Sequence, residues 1–305
     1  MKEGMIFIEK AFWAKLSSVR ERYAILDKLI HSQSDIYTNY NKEEISCDTI
    51  LGLIYDETGG RLYWGKDLND YIESDDIVSL SSIFLTNENA VSCDGISLQR
   101  GIVVFNNIRF SEDTKVFTGP TIIPIDEDTK YYHGWKNDIF APVLSSNKCN
   151  SIIINDKYLC NKGYVSQDLK DILDIVIPQK LDIAFHLSIF SEVNSNGDSI
   201  YQDIKKTLSS IRSKDFCDKT SFTLYYSTLH DRFIISNTFY MTVGAGFALF
   251  NGRNKAQNST SLKFFYQTAV GNKLEYYLWL KKTKEVAERT QNFWGDRTNR
   301  LFELV

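Results

Sequence analysis

The chain has 305 residues, of which 43% are hydrophobic, 13% aromatic and 24% charged, and its net charge is −4. This composition is typical of a folded globular protein and excludes a mainly disordered one. The mild acidity argues against the strongly basic surface of many nucleic-acid-binding domains, but it is compatible with a local basic face.

The N-terminal half carries short apolar runs that predict an α/β domain. An amphipathic stretch predicts a helix over residues 17–32. The predicted strands cover residues 5–8, 49–55, 62–64, 78–85 and 102–105. The length gives room for two domains, and we predict that residues 1–145 form the first and residues 146–305 the second.

The C-terminal half alternates strands and helices more clearly. The predicted strands cover residues 151–155, 181–190, 221–226, 232–235, 239–243 and 262–268. Helices are predicted over residues 167–177, 199–213 and 276–290, from apolar positions at helical spacing. Up to residue 243 the order is β-α-β-α-β-β-β, which predicts an α/β fold with a largely parallel sheet covered by helices on both faces.

One segment without charged residues, 233–252, is long enough to span a membrane. Polar residues and three glycines within it favour two buried strands joined at Asn237 and Thr238 instead, so we predict no membrane association. The five cysteines form no C-x-x-C pair and the first residues lack the apolar run of a signal peptide. These features predict free buried thiols, no structural zinc site and a cytoplasmic location.

The most informative pattern lies near the end of the predicted sheet. His230 stands two residues before Arg232, Asn237 follows five residues after the arginine, and Gly244 follows seven residues after the asparagine. Residues two apart on a strand point to the same side, so an imidazole and a guanidinium are presented together, which suits a phosphate. The alternative is that this pair is only the hydrogen-bonded face of a core strand.

This spacing resembles the signature of the phospholipase D superfamily, in which histidine, lysine, aspartate and glycine occupy the four positions. His230 matches the nucleophile or general acid, and Gly244 matches the glycine. Arg232 stands in place of the lysine and Asn237 in place of the aspartate. The element order of the C-terminal half is similar to that of one phospholipase D-like half. A pattern with arginine in place of the lysine is similar to that of non-catalytic members of that fold.

The resemblance implies a site that needs no metal and no other cofactor. His230 is then the candidate catalytic nucleophile, and Arg232, Asn237 and Gly244 are the candidate phosphate-binding residues. Two histidines of the family act on one phosphodiester, so turnover here would need a homodimer that brings two copies of His230 together. An asparagine cannot supply the charge of the aspartate, so the pattern preserves phosphate recognition better than turnover.

Phospholipase D-like chains often carry two such halves, and a faint internal match suggests the same here. Residues 97–106 align with residues 228–237 at several apolar positions and at the final asparagine, which places Gln99 opposite His230. The N-terminal half is therefore compatible with a diverged copy of the C-terminal one.

Three interpretations of function follow from the sequence. The first is a degenerate phospholipase D-like protein that recognises a phosphate-bearing ligand, above all nucleic acid, or a partner protein, with prokaryotic antiviral defence as the setting that the resemblance implies. The second is a dimeric, metal-independent phosphodiesterase or nuclease. The third is a structural subunit of a larger assembly. The tail is locally basic, through Lys281, Lys282, Lys284, Arg289, Arg297 and Arg300, which forms either a solvated helix face or an electrostatic wall for a polyanion.

Overall fold

The computed structural model describes most of the C-terminal half and about half of the rest of the chain. It covers residues 5–15, 27, 34–44, 50–57, 60–65, 67, 70, 82–86, 88–106, 121–125, 148–160, 165, 167–193, 196–244, 246–247, 260–266 and 273–305. The predicted helix over residues 17–32 lies outside the described residues, apart from Asp27.

The first sheet is built from short parallel strands in the order β3-β2-β1-β4-β5. The strands are β1 (Met5–Ile8), β2 (Asp35–Thr38), β3 (Leu62–Trp64), β4 (Ser82–Leu85) and β5 (Val103–Phe105). The helices are α1 (Lys10–Lys15), α2 (Ile50–Glu57) and α3 (Ala90–Arg100), and Lys42–Glu44 forms a 3-10 turn. Alternate strand residues pack into two separate apolar clusters, so both faces of this sheet are buried, as parallel sheets require.

The structure of this half differs from the prediction at two helices. The apolar run at 49–55 forms the helix α2 rather than a strand, because Leu51 and Ile54 are buried at helical spacing and a short apolar run does not distinguish the two structures. The helix α3 was not predicted. Asn89 caps its start by accepting a hydrogen bond from the Ser92 amide, and Gly101 ends it in the left-handed region at φ 63°.

The second sheet mixes parallel and antiparallel strands in the order β13-β9-β8-β7-β10-β11-β12-β6. Its strands are β6 (Thr121–Ile125), β7 (Ser151–Asn155), β8 (Phe185–Ser191), β9 (Thr220–Tyr226), β10 (Phe233–Ser236), β11 (Phe239–Val243), β12 (Thr260–Tyr266) and β13 (Phe293–Trp294). Its helices are α4 (Gln167–Val176), α5 (Gly197–Ile211), α6 (Lys214–Asp218) and α7 (Lys273–Arg289), and a 3-10 turn at Arg300–Leu304 follows. In the described part of this sheet, parallel pairs form between β7 and β8 and between β8 and β9, and the other neighbouring strands pair antiparallel.

The predicted order of strands and helices in this half is confirmed, with α6 as an addition, and so is the general α/β class. The sheet is less parallel than predicted, because β10, β11 and β12 join it as an antiparallel series. Helices α4 and α5 cover one face, while α7 covers the other through contacts such as that of Trp279 with Phe233. The uncharged segment forms the buried strands β10 and β11, as predicted, and no described helix could cross a membrane.

The second sheet also draws a strand from before residue 146. Strand β6 pairs antiparallel with β12, so residues 121–125 belong to this sheet, whereas the predicted boundary at residue 145 assigns them to the first domain. The two sheets differ in strand order and in strand direction, so the described residues do not support a duplicated fold. Gln99 lies within α3, whereas His230 lies in an irregular link before a strand.

Candidate functional site

The carboxyl ends of the parallel strands form one edge of the second sheet. Strands β7, β8 and β9 end there at Asn155, Ser191 and Tyr226, and the antiparallel β10 begins beside Asn155. Residues 227–232 connect β9 to β10 without forming a helix or a strand. In open α/β sheets, ligands bind outside the carboxyl ends of the strands, and we call this region the carboxyl edge.

His230 and Arg232 both lie at the carboxyl edge, but they precede the strand on which they were predicted. Strand β10 begins at Phe233, so the argument that both side chains share one strand face does not apply. The side chain of His230 is exposed, and that of Arg232 is partly buried. The structure therefore brings the two residues to the same edge, while the direction of each side chain is set by the irregular link.

Arg232 is anchored from one side and open on another. Its Nη1 donates a hydrogen bond of 2.7 Å to the carbonyl of Gly244, and its guanidinium carbon lies 5.5 Å from the ring centre of Tyr158. Its Nε is buried and has no hydrogen-bond partner among the described residues. A guanidinium held in place by one bond and one ring keeps donors available for an anion.

Asp156, directly after β7, organises the chain around this arginine. Its Oδ1 accepts a hydrogen bond from the amide of Tyr158 at 2.9 Å, and its Oδ2 accepts one from the amide of Phe247 at 2.7 Å. Burial raises the pKa of Asp156, while those two amides and the charge of Arg232 act in the opposite direction. The carboxyl group thus holds the segment after β11 against the carboxyl edge.

Gly246, and not only Gly244, is required by this arrangement. Gly246 has φ +91°, and a Cβ atom there would lie 3.0 Å from both Asp156 Oδ2 and Arg232 Cδ. Gly244 contributes its carbonyl oxygen to Arg232. Sequence reasoning singled out Gly244 but missed Asp156, for which the local sequence carries no signal because its partners lie far along the chain. For Gly246 the only signal was its place two residues after Gly244.

A groove of about 480 Å³ lies between the start of the irregular link and α7, and it reaches Leu229, the residue before His230. Tyr226, Thr228 and Leu229 line one side. Lys282, Glu285 and Arg289 line the other. The rest of the basic tail is occupied elsewhere: Lys284, Arg297 and Arg300 donate to backbone carbonyls of Phe302, Thr290 and Ala184. The basic character of the tail is therefore concentrated at the groove and its exposed neighbour Lys281.

Asn237 lies at the opposite end of β10 from Arg232. It is fully buried, its Oδ1 accepts a hydrogen bond from the amide of Asn150 at 2.8 Å, and its Nδ2 donates one to the carbonyl of Gly101 at 2.9 Å. Because Gly101 follows α3, this amide group ties the second sheet to the first. Asn237 therefore shares no site with Arg232, and its polar atoms are already used by the protein.

The amino ends of the parallel strands, which we call the amino edge, hold a network of hydrogen-bonded polar side chains beside Asn237. Asn299 accepts a hydrogen bond from Ser151 Oγ at 2.9 Å and donates one to Ser188 Oγ at 3.0 Å. His186 Nδ1 accepts one from the amide of Arg300 at 3.1 Å. Burial first, and then the charge of Arg300, lower the pKa of His186 to about 4, so it is neutral at physiological pH. His186 is a hydrogen-bonded structural residue.

The chemistry available at the carboxyl edge favours binding over turnover. Among the described residues the histidines are His186 and His230, and they lie at opposite edges of the sheet, so these two cannot form a nucleophile and acid pair within one chain. The described residues also contain no group of three or more acidic, histidine or cysteine side chains that could hold a metal ion. What the edge offers an incoming ligand is an exposed imidazole, an anchored guanidinium and a groove with two cations.

Comparison with known proteins gives no family assignment: no protein-family model matches the chain, and no curated protein is significantly similar to it.

Proposed function

We propose that the protein binds a phosphate-bearing ligand, with nucleic acid as the favoured class, at the carboxyl edge of its second sheet and without cleaving it. The observation that carries the proposal is the position of Arg232. Its guanidinium is held by Gly244 and Tyr158 at the edge where α/β sheets bind ligands, and its side chain is only partly buried.

His230 contributes to the same function as an exposed donor or acceptor two residues away. A single imidazole beside a fixed guanidinium can recognise a phosphate but cannot both attack phosphorus and protonate a leaving group. The degenerate form of the phospholipase D-like pattern is consistent with this division, because the changes at Arg232 and Asn237 keep a cation and remove a carboxylate.

Binding of a fluorescently labelled dinucleotide that carries a 5′-phosphate tests the proposal by fluorescence anisotropy. We expect the variants His230→Ala and Arg232→Gln each to weaken binding about tenfold, since each removes one charge-assisted contact. Lys206→Gln, on the exposed face of α5, is the matched control and should bind as the wild type does. Thermal melting of all four proteins separates a lost contact from a lost fold.

Two results would contradict the proposal. Equal binding by wild type and both site variants would remove the carboxyl edge as the binding site. Cleavage of the dinucleotide in EDTA that disappears in His230→Ala would show a metal-independent phosphodiesterase, and would overturn the claim that the ligand is not cleaved.

A further inference from the structure

The groove beside His230 extends the function proposed above and rests on it. We infer that this groove, between residues 226–229 and α7, receives one nucleotide of a single-stranded nucleic acid whose neighbouring phosphate lies at His230 and Arg232. Leu229 lines the groove and is followed directly by His230, so a ligand could pass from one to the other without leaving the surface. The groove volume of about 480 Å³ lies in the range of small-molecule sites.

The charges along the helical wall indicate how a nucleotide would lie. Lys282 and Arg289 are seven residues apart on α7, which is two helical turns and about 10 Å along the axis. Glu285 lies between them on the same wall. None of these three side chains is in an ion pair among the described residues, so cations are available towards the two ends of the wall and a carboxylate in the middle.

The order of cation, carboxylate and cation along this wall suits one nucleotide and does not suit a row of phosphates. Phosphates are attracted to Lys282 and Arg289, and Glu285 repels them from the centre. The carboxylate can instead accept a hydrogen bond from an amino group on a base or from a sugar hydroxyl. The Nζ of Lys282 lies 4.1 Å from the centre of the Trp279 ring, which fixes the position of this cation.

The opposite wall is formed by the end of β9 and the start of the link. Tyr226 and Leu229 line the groove there. The ring of Tyr226 packs against the apolar cluster under α4 and α5, and its amide donates a hydrogen bond to the carbonyl of Asn292 at 3.0 Å. A positively charged groove that follows the backbone is one of the usual means of binding single strands without sequence readout. In a duplex the bases are paired and stacked, so none can enter a groove of this size without being flipped out.

The test compares the affinity of a labelled single strand of about 12 nucleotides, its duplex and the phosphorylated dinucleotide. We expect the double variant Lys282→Gln/Arg289→Gln to weaken single-strand binding at least about tenfold, and to lower the slope of log affinity against log salt by about 1.4, for two phosphates. Its affinity for the dinucleotide should fall by less than its affinity for the single strand, because the phosphate contact at His230 and Arg232 is intact. The duplex should bind the wild type more weakly than the single strand.

The chain offers a matched control groove. A second groove, of about 550 Å³, lies between α4 and α5 and is also lined by two lysines and an acidic residue, Lys170, Lys206 and Asp203. The variant Lys170→Gln/Lys206→Gln makes the same change of charge there and should leave single-strand affinity within about twofold.

Each result bears on one of the two proposals. Unchanged single-strand affinity in Lys282→Gln/Arg289→Gln, with His230→Ala still impaired, overturns the groove and leaves the proposed function standing. Equal loss in the groove variant and in the control variant also overturns it, because the effect would then be one of net charge. If the wild type binds neither the dinucleotide nor the single strand, the proposed function fails, and the groove proposal fails with it.

Discussion

The polar side chains at the two edges of the second sheet differ in hydrogen bonding and in exposure. At the amino edge Asn237, Asn299 and His186 are all hydrogen-bonded to the protein itself. At the carboxyl edge His230 is exposed and Arg232 is only partly buried. Buried polar groups that are hydrogen-bonded within the protein specify a fold, whereas polar side chains that stay open to solvent can meet a ligand. The motif therefore divides into a structural end and the end at which we propose binding.

Asn237→Asp gives the largest expected effect and tests the structural end directly. This change restores the aspartate of the phospholipase D pattern. The structure predicts that it destabilises the protein by about 3 kcal/mol, because a carboxylate would be buried and would face the carbonyl of Gly101 in place of a donated hydrogen bond. Urea unfolding at pH 7 measures the free energy difference.

Asn196→Asp is the control for this substitution. Asn196 is exposed immediately before α5, and its side chain makes no capping hydrogen bond, so the same change should alter stability by less than about 0.5 kcal/mol. An Asn237→Asp protein that is as stable as wild type, and that gains His230-dependent cleavage in EDTA, would reverse our assignment of the two ends.

Gly246→Ala tests the binding end and should cost about 2 kcal/mol of stability. Two terms contribute: a non-glycine residue is strained at φ +91°, and its Cβ would press on Asp156 and Arg232. Gly65→Ala isolates the first term, because Gly65 has φ +89° and nothing within 4 Å of an added Cβ, so it should cost about 1 kcal/mol. Equal losses in the two variants, measured by urea unfolding, would mean that the packing around Arg232 is not tight.

The fold of the C-terminal half could be predicted well because its signals are local. Buried strands such as β7 and β8 are continuous apolar runs, and α4 and α5 show one apolar face each. The helix α2 was mistaken for a strand because its apolar run is short, and the place of β6 in the second sheet depends on pairing with residues more than a hundred positions away.

The candidate site was only partly predictable, for the same reason. The spacing of His230 and Arg232 pointed to the carboxyl edge, since it lies just before a recognisable strand. Asn237 meets partners 87 and 136 residues away, and Asp156 meets Phe247 from a distance of 91 residues. No local spacing reveals such contacts, so the sequence could not show that one motif residue binds the other sheet or that an unremarked aspartate holds the site together.

The smallest expected effect is a loss of stability in acid. It should depend on the partly buried His186 and not on the exposed His230. His186 has its pKa lowered from 6.5 to about 4, first by burial and then by the charge of Arg300, against the opposing charge of Asp296. The unfolded chain therefore binds a proton more readily than the folded protein between these values. The contribution of His186 to stability is complete above about pH 6.5 and is lost as the pH falls towards 4, by about 1 to 2 kcal/mol after allowance for its partial exposure.

His186→Asn should remove this dependence while keeping an acceptor for the amide of Arg300. The free energy of unfolding of wild type relative to His186→Asn should fall as the pH is lowered from about 7 to about 4.5. Asp156, which is buried, and Asp171, which is half-buried, have raised pKa values and act in the opposite direction, but they are present in both proteins and cancel in the difference. The same change at the exposed His230 should alter stability by less than about 0.5 kcal/mol at pH 7. A constant difference between wild type and His186→Asn across this range would show that the amino edge admits the charged imidazole, and would contradict the neutral His186 described above.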